Sequence, residues 1–316
     1  MSLVLAIPSK GRLKEQCEAW LADCGLRLEA AGGERGYRAA IAGLPGAEVR
    51  LLSAADIAAG LDAGELHLGV TGEDLLRERG EGLDARVLLL SALPFGRADL
   101  VVAAPRSWID VEAMADLADV AHLHLLRTGG RLRVATKYGA QTRAFFARHA
   151  VGDYRIVESS GATEGAPAAG QAEVVVDITT TGATLAANNL KVLGDGVILR
   201  SRAQLAAGLG AAWSAEGLLL ARRLLSATEA RARGRELTAL RWPPEQAAAA
   251  EAAVAPFLDR GAQARAEGLF APEALLVEVA EALALAGVGP VSATRPDYVW
   301  EAASPAADAL AARLEL

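Results

Sequence analysis

The sequence predicts an α/β protein with a two-lobed, mainly parallel-sheet core and a smaller α+β unit behind it. Three observations predict this. Short apolar strands alternate with helical segments from Leu3 to Ser201, the pattern of a parallel sheet covered by helices. The strand segments Arg86–Leu90 and Asp99–Ala103 flank Pro94-Phe95-Gly96-Arg97, which reads as a crossover between lobes. From Ala211 the texture changes to a long arginine-bearing helix and then to a fresh series of strands and helices.

Each element has a local reason. Leu3–Ile7 is a short buried strand stopped by Pro8, and Ser9-Lys10-Gly11-Arg12 turns the chain into a helix over Leu13–Cys24. Gly32-Gly33-Glu34-Arg35-Gly36 is a loop. Val49–Leu52 and Leu66–Val70 are strands separated by a helix over Ala55–Leu61. Thr71-Gly72-Glu73-Asp74 caps a helix over Leu75–Arg79, with acids on its first turn. His67 lies in an alternating strand and reads as a packed residue. Met114–Val120 is helical. His122 and His124 would share a face only in an extended segment, and no third ligand lies nearby in sequence, so no metal site is expected. Arg131–Ala135 is a strand leading through Thr136-Lys137-Tyr138 to a helix over Ala140–His149. Tyr154–Val157 is a strand, and Gly161-Ala162-Thr163-Glu164 starts a short helix. Lys191–Leu193 and Val197–Ser201 read as strands returning to the first lobe.

The last third opens with a helix over Trp213–Arg233, whose apolar face carries Leu218, Leu219 and Leu225. A strand over Leu237–Trp242 follows, and Pro243-Pro244 opens a helix to Phe257. Then come a weak strand near Ala262–Glu267, a helix over Pro272–Ala286, a strand over Pro290–Thr294 and a final helix over Ala306–Leu314. The expected division is residues 1–95 with 190–210 as lobe 1, 96–189 as lobe 2, 211–235 as a connecting helix and 236–316 as a C-terminal domain separable near Arg235.

Composition narrows the function classes. The chain has 316 residues, enough for two or three compact units, and its hydrophobic content of 52% supplies ample core. Aromatics are only 4%, so the cores rest on Leu, Val and Ala. A net charge of −7 argues against nucleic-acid or anionic-membrane binding through bulk charge, yet permits a local basic pocket for a small anion. Cys17 and Cys24 share one helix and build neither a disulfide framework nor a metal motif, which suits a reducing cytoplasm. The N-terminal segment is too short in its apolar part for a signal peptide. No apolar run approaches the roughly 18–20 residues of a membrane span. The motifs of phosphate-loop nucleoside triphosphatases, dinucleotide folds, nucleophile elbows and zinc proteases are all absent.

The stretch that carries chemistry is Glu173–Leu190, EVVVDITTTGATLAANNL. Val174-Val175-Val176 is a β-branched run that fills a buried strand. Asp177 follows at once, then Thr179, Thr180, Thr181, Gly182 and Thr184, and a helical segment over Leu185–Leu190. Strand, carboxylate, Thr/Gly loop and helix present backbone N–H groups to a phosphate, and a glycine permits its close approach. Asp177 would repel that phosphate, but it can accept hydrogen bonds from a vicinal diol beside it. The ligand that satisfies both is a ribose 5-phosphate unit. An ordinary N-cap, with the threonines satisfying free amides, accounts for the same residues without a ligand. Lys10, Gly11 and Arg12 at a strand-to-helix turn suit an anion, or form a solvated turn. Lys137, just past a strand end, is either a phosphate contact or a surface lysine.

This stretch resembles the phosphoribosyl-diphosphate loop of the ATP phosphoribosyltransferases, which open histidine biosynthesis. Glu158-Ser159-Ser160-Gly161-Ala162-Thr163-Glu164, Ala187-Asn188-Asn189-Leu190, Ile7-Pro8-Ser9-Lys10-Gly11-Arg12-Leu13 and Leu68-Gly69-Val70-Thr71-Gly72 follow the same family pattern, in order, over residues 1–202. The resemblance implies a periplasmic-binding-protein-like (type II) fold with a nucleotide held between the lobes. It implies that phosphoribosyl diphosphate is bound by Asp177, Thr180, Thr181, Gly182, Ala183 and Thr184, and ATP by Lys10, Gly11, Arg12 and Asp74. Asp177, Lys137 and Glu158 are the catalytic candidates, and Mg²⁺ is the partner of the leaving diphosphate. Long-form members of the family carry a ferredoxin-like regulatory domain, with which the last third is compatible. A homo-oligomer is implied, and some members work with a histidyl-tRNA-synthetase-like regulatory subunit. Two readings from other classes stand beside the enzyme. One is a two-lobed solute-binding or sensor protein without catalysis, whose secreted forms carry a signal peptide. The other is a non-catalytic regulatory partner, which would lack an intact Asp177–Thr184 loop.

Overall fold

The computed structural model describes residues 3–30, 38–159 and 161–315. The loop expected at 32–36 and Ser160 lie outside the described residues.

The first sheet has seven strands. Its centre is β1 (Leu3–Pro8), paired in parallel with β4 (Ala47–Leu52) and β5 (Leu68–Gly72). Along β1, Leu3, Leu5 and Ile7 enter one core while Val4 and Ala6 enter the core on the opposite face. That alternation, apolar on both sides, is what a strand covered twice requires. Helix α1 (Gly11–Asp23) covers one face, and α2 (Ala54–Asp62) covers the other with α3 (Glu73–Arg77) and α4 (Leu83–Arg86). A hairpin of β2 (Leu28–Ala30) and β3 (Arg38–Ile41) widens the sheet beyond β4.

The second sheet is built from β7 (Ala98–Pro105), β8 (Leu132–Thr136), β9 (Tyr154–Glu158), β10 (Val174–Thr179) and β11 (Leu190–Ser201). Helices α5 (Met114–Thr128) and α6 (Gly139–Arg148) contribute Met114, Leu117, Phe145 and Phe146 to its core. Helix α7 (Ala183–Ala187) packs Leu185 into the other face.

The two lobes share one strand order. In the first, β4-β1-β5 is followed by β12 (Ala203–Gly208) and then β6 (Val87–Ala92). In the second, β9-β8-β10 is followed by β7 and then β11. In each lobe the fourth strand is antiparallel and has just crossed from the other lobe. The crossings are Leu93–Arg97 and Arg202, stitched together by Leu93 N–H to the Ala203 carbonyl at 2.8 Å and Ala203 N–H to the Phe95 carbonyl at 3.2 Å. This is the two-lobed, periplasmic-binding-protein-like type II core that the sequence leads one to expect.

Several elements differ from expectation. Lys191–Leu193 and Val197–Ser201, expected to return to the first lobe, form one irregular strand that stays in the second sheet beside β7. Gly194 and Gly196 give it the look of two pieces. The true return is β12, whose sequence AQLAAG is poor in β-branched residues but is wholly buried in the middle of a sheet, where small side chains pack. Helix α5 runs on to Thr128, so His122 and His124 lie on diverging helix faces, and His122 pairs instead with Asp153 at 2.9 Å. The helix expected over Leu185–Leu190 is the shorter α7, because Asn189 takes φ of 56° and Leu190 already starts β11.

Helix α8 (Ala215–Glu236) leads directly into the third unit. There β13 (Leu237–Arg241), α9 (Ala247–Leu258), β14 (Gln263–Arg265), β15 (Gly268–Pro272), α10 (Leu276–Leu285) and β16 (Ser292–Thr294) give the order β-α-β-β-α-β. The spatial order β14-β15-β13-β16, antiparallel throughout, is ferredoxin-like. The weak strand expected near Ala262–Glu267 is the first arm of the β14–β15 hairpin.

The final helix, α11 (Pro305–Leu314), leaves this unit. Its Ala306, Ala307 and Leu310 are buried in the first-lobe core beside Leu220, Leu224 and Leu225 of α8. Arg231 pairs with Asp23 at 2.8 Å, and the Tyr298 hydroxyl donates to the Asp23 carbonyl at 2.8 Å. The third unit is thus inserted between two helices of the first lobe, and a cut near Arg235 would strip a core helix as well.

Candidate active site

Strands β8, β9 and β10 run parallel, with Val176 opposite Thr136 and Thr136 opposite Glu158. Their next residues, Lys137, Ser159 and Asp177, therefore emerge along one edge of the sheet. The carboxyl ends of parallel strands are where such folds hold ligands.

Asp177 is half-buried there, and its Oδ1 accepts from the Ile178 N–H at 2.9 Å. Burial raises its pKa above the ordinary aspartate range, and the nearby Glu164 carboxylate adds to the rise, against the Ile178 amide, the Lys137 ammonium and the Thr163 hydroxyl. Glu164 is a neighbour that sequence reasoning quotes in a motif but assigns no role. Its signal is the turn Thr163–Gly165, which packs against β10 with Thr163 buried. Glu158 lies exposed at the end of β9, two strand spacings or roughly 10 Å across the sheet from β10. The structure brings Lys137 and Glu164 to Asp177, while Glu158 stands at the margin.

The loop after β10 holds its own shape through its hydroxyls. Thr179 Oγ1 accepts from the Gly182 N–H at 2.8 Å, Thr181 Oγ1 from the Ala183 N–H at 3.4 Å, and Thr180 Oγ1 donates to the Arg97 carbonyl at 3.4 Å. Gly182 has φ of 75°, a left-handed conformation that side chains disfavour, and a Cβ there would meet no protein atom within 4 Å. The space before it is open, and Thr180, Thr181, Ala183 and Thr184 are all exposed around it. The capping expected of an ordinary Thr-rich turn is present, with Thr184 left to solvent on the same loop.

On the first lobe, β1, β4 and β5 likewise end together. Lys10, Gly11 and Arg12 are exposed at the end of β1, Gly11 with φ of 71°, and α1 starts without a side-chain cap or an acid in its first turn. Asp74 is buried in the first turn of α3. It is 6% exposed, Ser201 Oγ donates to its Oδ1 at 2.8 Å, and the Tyr138 hydroxyl donates to its Oδ2 at 2.7 Å. Both oxygens are engaged in tying the first lobe to the second. Gly72 makes room for it, since a Cβ there would stand 2.3 Å from Asp74 Oδ1. Burial beside Asp74 pushes the Tyr138 phenol well up, so it remains a donor. Glu78 completes the clasp by accepting from the first amides of α6, Ala140 at 2.7 Å and Gln141 at 3.2 Å. These bonds bring the carboxyl ends of the two sheets face to face.

Residues set aside on sequence grounds are in structural roles. His67 is buried, accepts from the Val4 N–H through Nδ1 at 3.3 Å and packs edge-on against Trp213. Cys17 and Cys24 are buried free thiols pushed up to about 12 by desolvation, which makes them inert. Among the described residues no group of three or more His, Cys, Asp or Glu forms a metal cage. No described helix is long and apolar enough to cross a membrane.

Comparison with known proteins gives this geometry its relatives. Residues 53–224 match the model of the family described as HisG, ATP phosphoribosyltransferase. A Caulobacter vibrioides protein named ATP phosphoribosyltransferase is 66% identical over 99% of this chain and 98% of its own length. A Rhodopseudomonas palustris protein of the same name is 50% identical over 98% of each chain. Among solved structures, the ATP phosphoribosyl transferase (HisG:HisZ) complex from Thermotoga maritima superposes with a TM-score of 0.54 at 26% identity, over 72% of this chain and 98% of that one.

Proposed function

The chain belongs to the ATP phosphoribosyltransferase family and is a phosphoribosyl-transferring enzyme, and we propose that it moves the phosphoribosyl group of phosphoribosyl diphosphate to N1 of ATP, the first step of histidine biosynthesis. The observation that carries this reading is the loop at the end of β10. A half-buried carboxylate and an open, left-handed glycine turn stand side by side where three parallel strands end.

In the reaction the C1–oxygen bond to diphosphate breaks and a C1–N1 bond forms. N1 of adenine attacks with its own lone pair, so no base is needed to create the nucleophile. The protein's work is to hold two polyanions in line and to stabilise charge as diphosphate departs. Thr180, Thr181, Gly182, Ala183 and Thr184 cradle the 5-phosphate through loop amides and hydroxyls. Asp177 accepts from the ribose hydroxyls and faces the positive charge that develops on the sugar ring. Lys137 beside it offsets substrate charge, and Lys10, Gly11 and Arg12 hold phosphates from the opposite lobe. Glu158 contributes at the margin of the cleft. The Asp74–Tyr138 and Glu78–α6 bonds keep the two half-sites opposed.

Magnesium fits this residue set as an ion that the diphosphate brings with it. It needs only one or two protein carboxylates beside phosphate oxygens, and Asp177 with Glu164 supplies such a pair. When bound it neutralises charge on the leaving diphosphate.

The cytoplasm is the compartment that two buried, unpaired cysteines suit. A homo-oligomer is the assembly we favour, and a HisZ-like regulatory subunit is supported by the complex in which the Thermotoga maritima chain is seen. A two-lobed binder without catalysis, or a regulatory partner, is disfavoured by the intact Asp177–Thr184 loop and by full-length relatives that carry the enzyme's name.

The test is diphosphate release by the purified chain. Release that requires both ATP and phosphoribosyl diphosphate supports the assignment. Binding of either without release points to the non-catalytic protein.

A further inference from the structure

A second feature of the cleft floor lies beside the 5-phosphate loop, at the hinge. Where β7 begins, β10 ends and β11 ends, Asp99 is opposite both Thr179 and Arg200, and Ala98 is opposite Ser201. This register borders an open cavity of about 290 Å³ lined by Arg97, Asp99, Thr179, Thr180, Arg200 and Arg202, among others. Three arginines line it beside a single acidic residue.

Several arginines elsewhere in the chain pair with carboxylates. Arg79 and Arg86 share Asp62, Arg133 pairs with Glu173, and Arg231 and Arg235 share Asp23. Among the described residues Arg97, Arg200 and Arg202 make no such pair, although the whole chain has a net charge of −7. Three like charges gathered on one small cavity repel, and an acid-rich chain has carboxylates to spare for them. The arrangement is explained by an anion of high charge that completes it. Guanidinium forks match phosphate oxygens two at a time. Thr179 and Thr180 belong both to this cavity and to the 5-phosphate loop. The two anion sites are therefore contiguous.

We propose that Arg97, Arg200 and Arg202 form a polyphosphate subsite that holds a diphosphate moiety of a substrate during transfer. Two substrates carry one: phosphoribosyl diphosphate at C1, and ATP in its phosphate tail. The origin of the ligand rests on the transferase reading above; the subsite itself does not.

The experiment compares wild type with Arg97→Gln, Arg200→Gln, Arg202→Gln and the triple variant, each checked by thermal melt. Inorganic diphosphate, ATP and ribose 5-phosphate are titrated calorimetrically, and KM is measured for both substrates. Loss of one charged hydrogen-bonding partner is expected to weaken diphosphate binding by about tenfold, with ribose 5-phosphate affinity kept. A rise in KM for phosphoribosyl diphosphate alone assigns the subsite to the C1 diphosphate, and a rise for ATP alone assigns it to the triphosphate; either supports the proposal. A folded triple variant that binds diphosphate and ATP as wild type does overturns it, and if the triple variant melts early, wild-type affinity in all three single variants overturns it equally. If wild type releases no diphosphate from its two substrates, the transferase reading fails, while the titration with inorganic diphosphate still decides the subsite.

Discussion

Asp177→Asn separates binding chemistry from folding, because the two side chains are nearly isosteric. The carboxylate accepts from the Ile178 amide and is held near the Thr163 hydroxyl. Replacing it leaves an acceptor in place but removes the charge that strengthens bonds from a diol. A hydrogen bond to a charged group contributes about 1.5–3 kcal/mol net, so a transition-state loss of about 1–3 kcal/mol is expected, a fall in kcat/KM of about 5- to 150-fold. Stability should move the other way. Burial and Glu164 raise the folded-state pKa of Asp177, so the native protein holds that proton more tightly than the unfolded chain does. The group then costs stability above its raised native pKa, and the cost disappears as pH falls below the ordinary aspartate value. Asp177→Asn should therefore melt at or above wild type at neutral pH, with the difference vanishing in acid. The acid limb of kcat/KM for phosphoribosyl diphosphate should lie above the ordinary carboxylate range in wild type and be lost in the variant. Steady-state kinetics from pH 4 to 8 (roughly the span between ordinary carboxylate and imidazole titration) and parallel melts read both effects. Unchanged kinetics for phosphoribosyl diphosphate would remove Asp177 from the site.

The other expectations concern the loop, the clasp and the last helix. Gly182→Val should cost about 1–2 kcal/mol of stability through its left-handed φ, and should lose phosphoribosyl-diphosphate affinity to a larger degree; a folded variant with normal affinity contradicts the cradle. Tyr138→Phe strips one donor from a buried carboxylate and should lower unfolding free energy by about 1–3 kcal/mol, measured in urea; an unchanged midpoint means the clasp does not hold the lobes. Leu310→Ala should cost about 2–5 kcal/mol, because Leu310 is 1% exposed in the first-lobe core, and truncation after Arg235 should abolish a cooperative melt. A truncated chain that melts cooperatively and still binds ATP in calorimetry would show that α11 is dispensable.

Much of the architecture was legible because its strands are apolar and its helices are punctuated. The run Val174-Val175-Val176, the Pro8 stop and the Gly182 turn each leave a local mark on the sequence. The elements that were missed leave none. Strand β12 is built of Ala, Gln, Leu and Gly, and only its place between β5 and β6 makes it a strand. Strand β11 looks broken at Gly194 and Gly196, but partner β7 carries it across the irregularity. The return of α11 to the first lobe is a long-range event, and its amphipathic pattern names a buried face without naming what buries it.

The site divides in the same way. Asp177 and the Thr/Gly loop are contiguous in sequence, so their juxtaposition could be read directly. Asp74 is contiguous with a strand end too, but its partners Tyr138 and Ser201 come from distant segments, and only the fold shows its oxygens to be engaged. Glu164 and the arginines at 97, 200 and 202 are likewise assembled by strand register rather than by spacing.

The central claim is a new bond between ribose C1 and adenine N1, and nitrogen NMR observes it directly. The purified chain is mixed with phosphoribosyl diphosphate labelled with ¹³C at C1, Mg²⁺ and ATP labelled with ¹⁵N in the adenine ring. The account predicts that the N1 resonance alone moves to the position of an alkylated ring nitrogen and acquires coupling to the ribose carbon, in step with diphosphate release. An unshifted N1, or a bond formed at another adenine nitrogen, would contradict it.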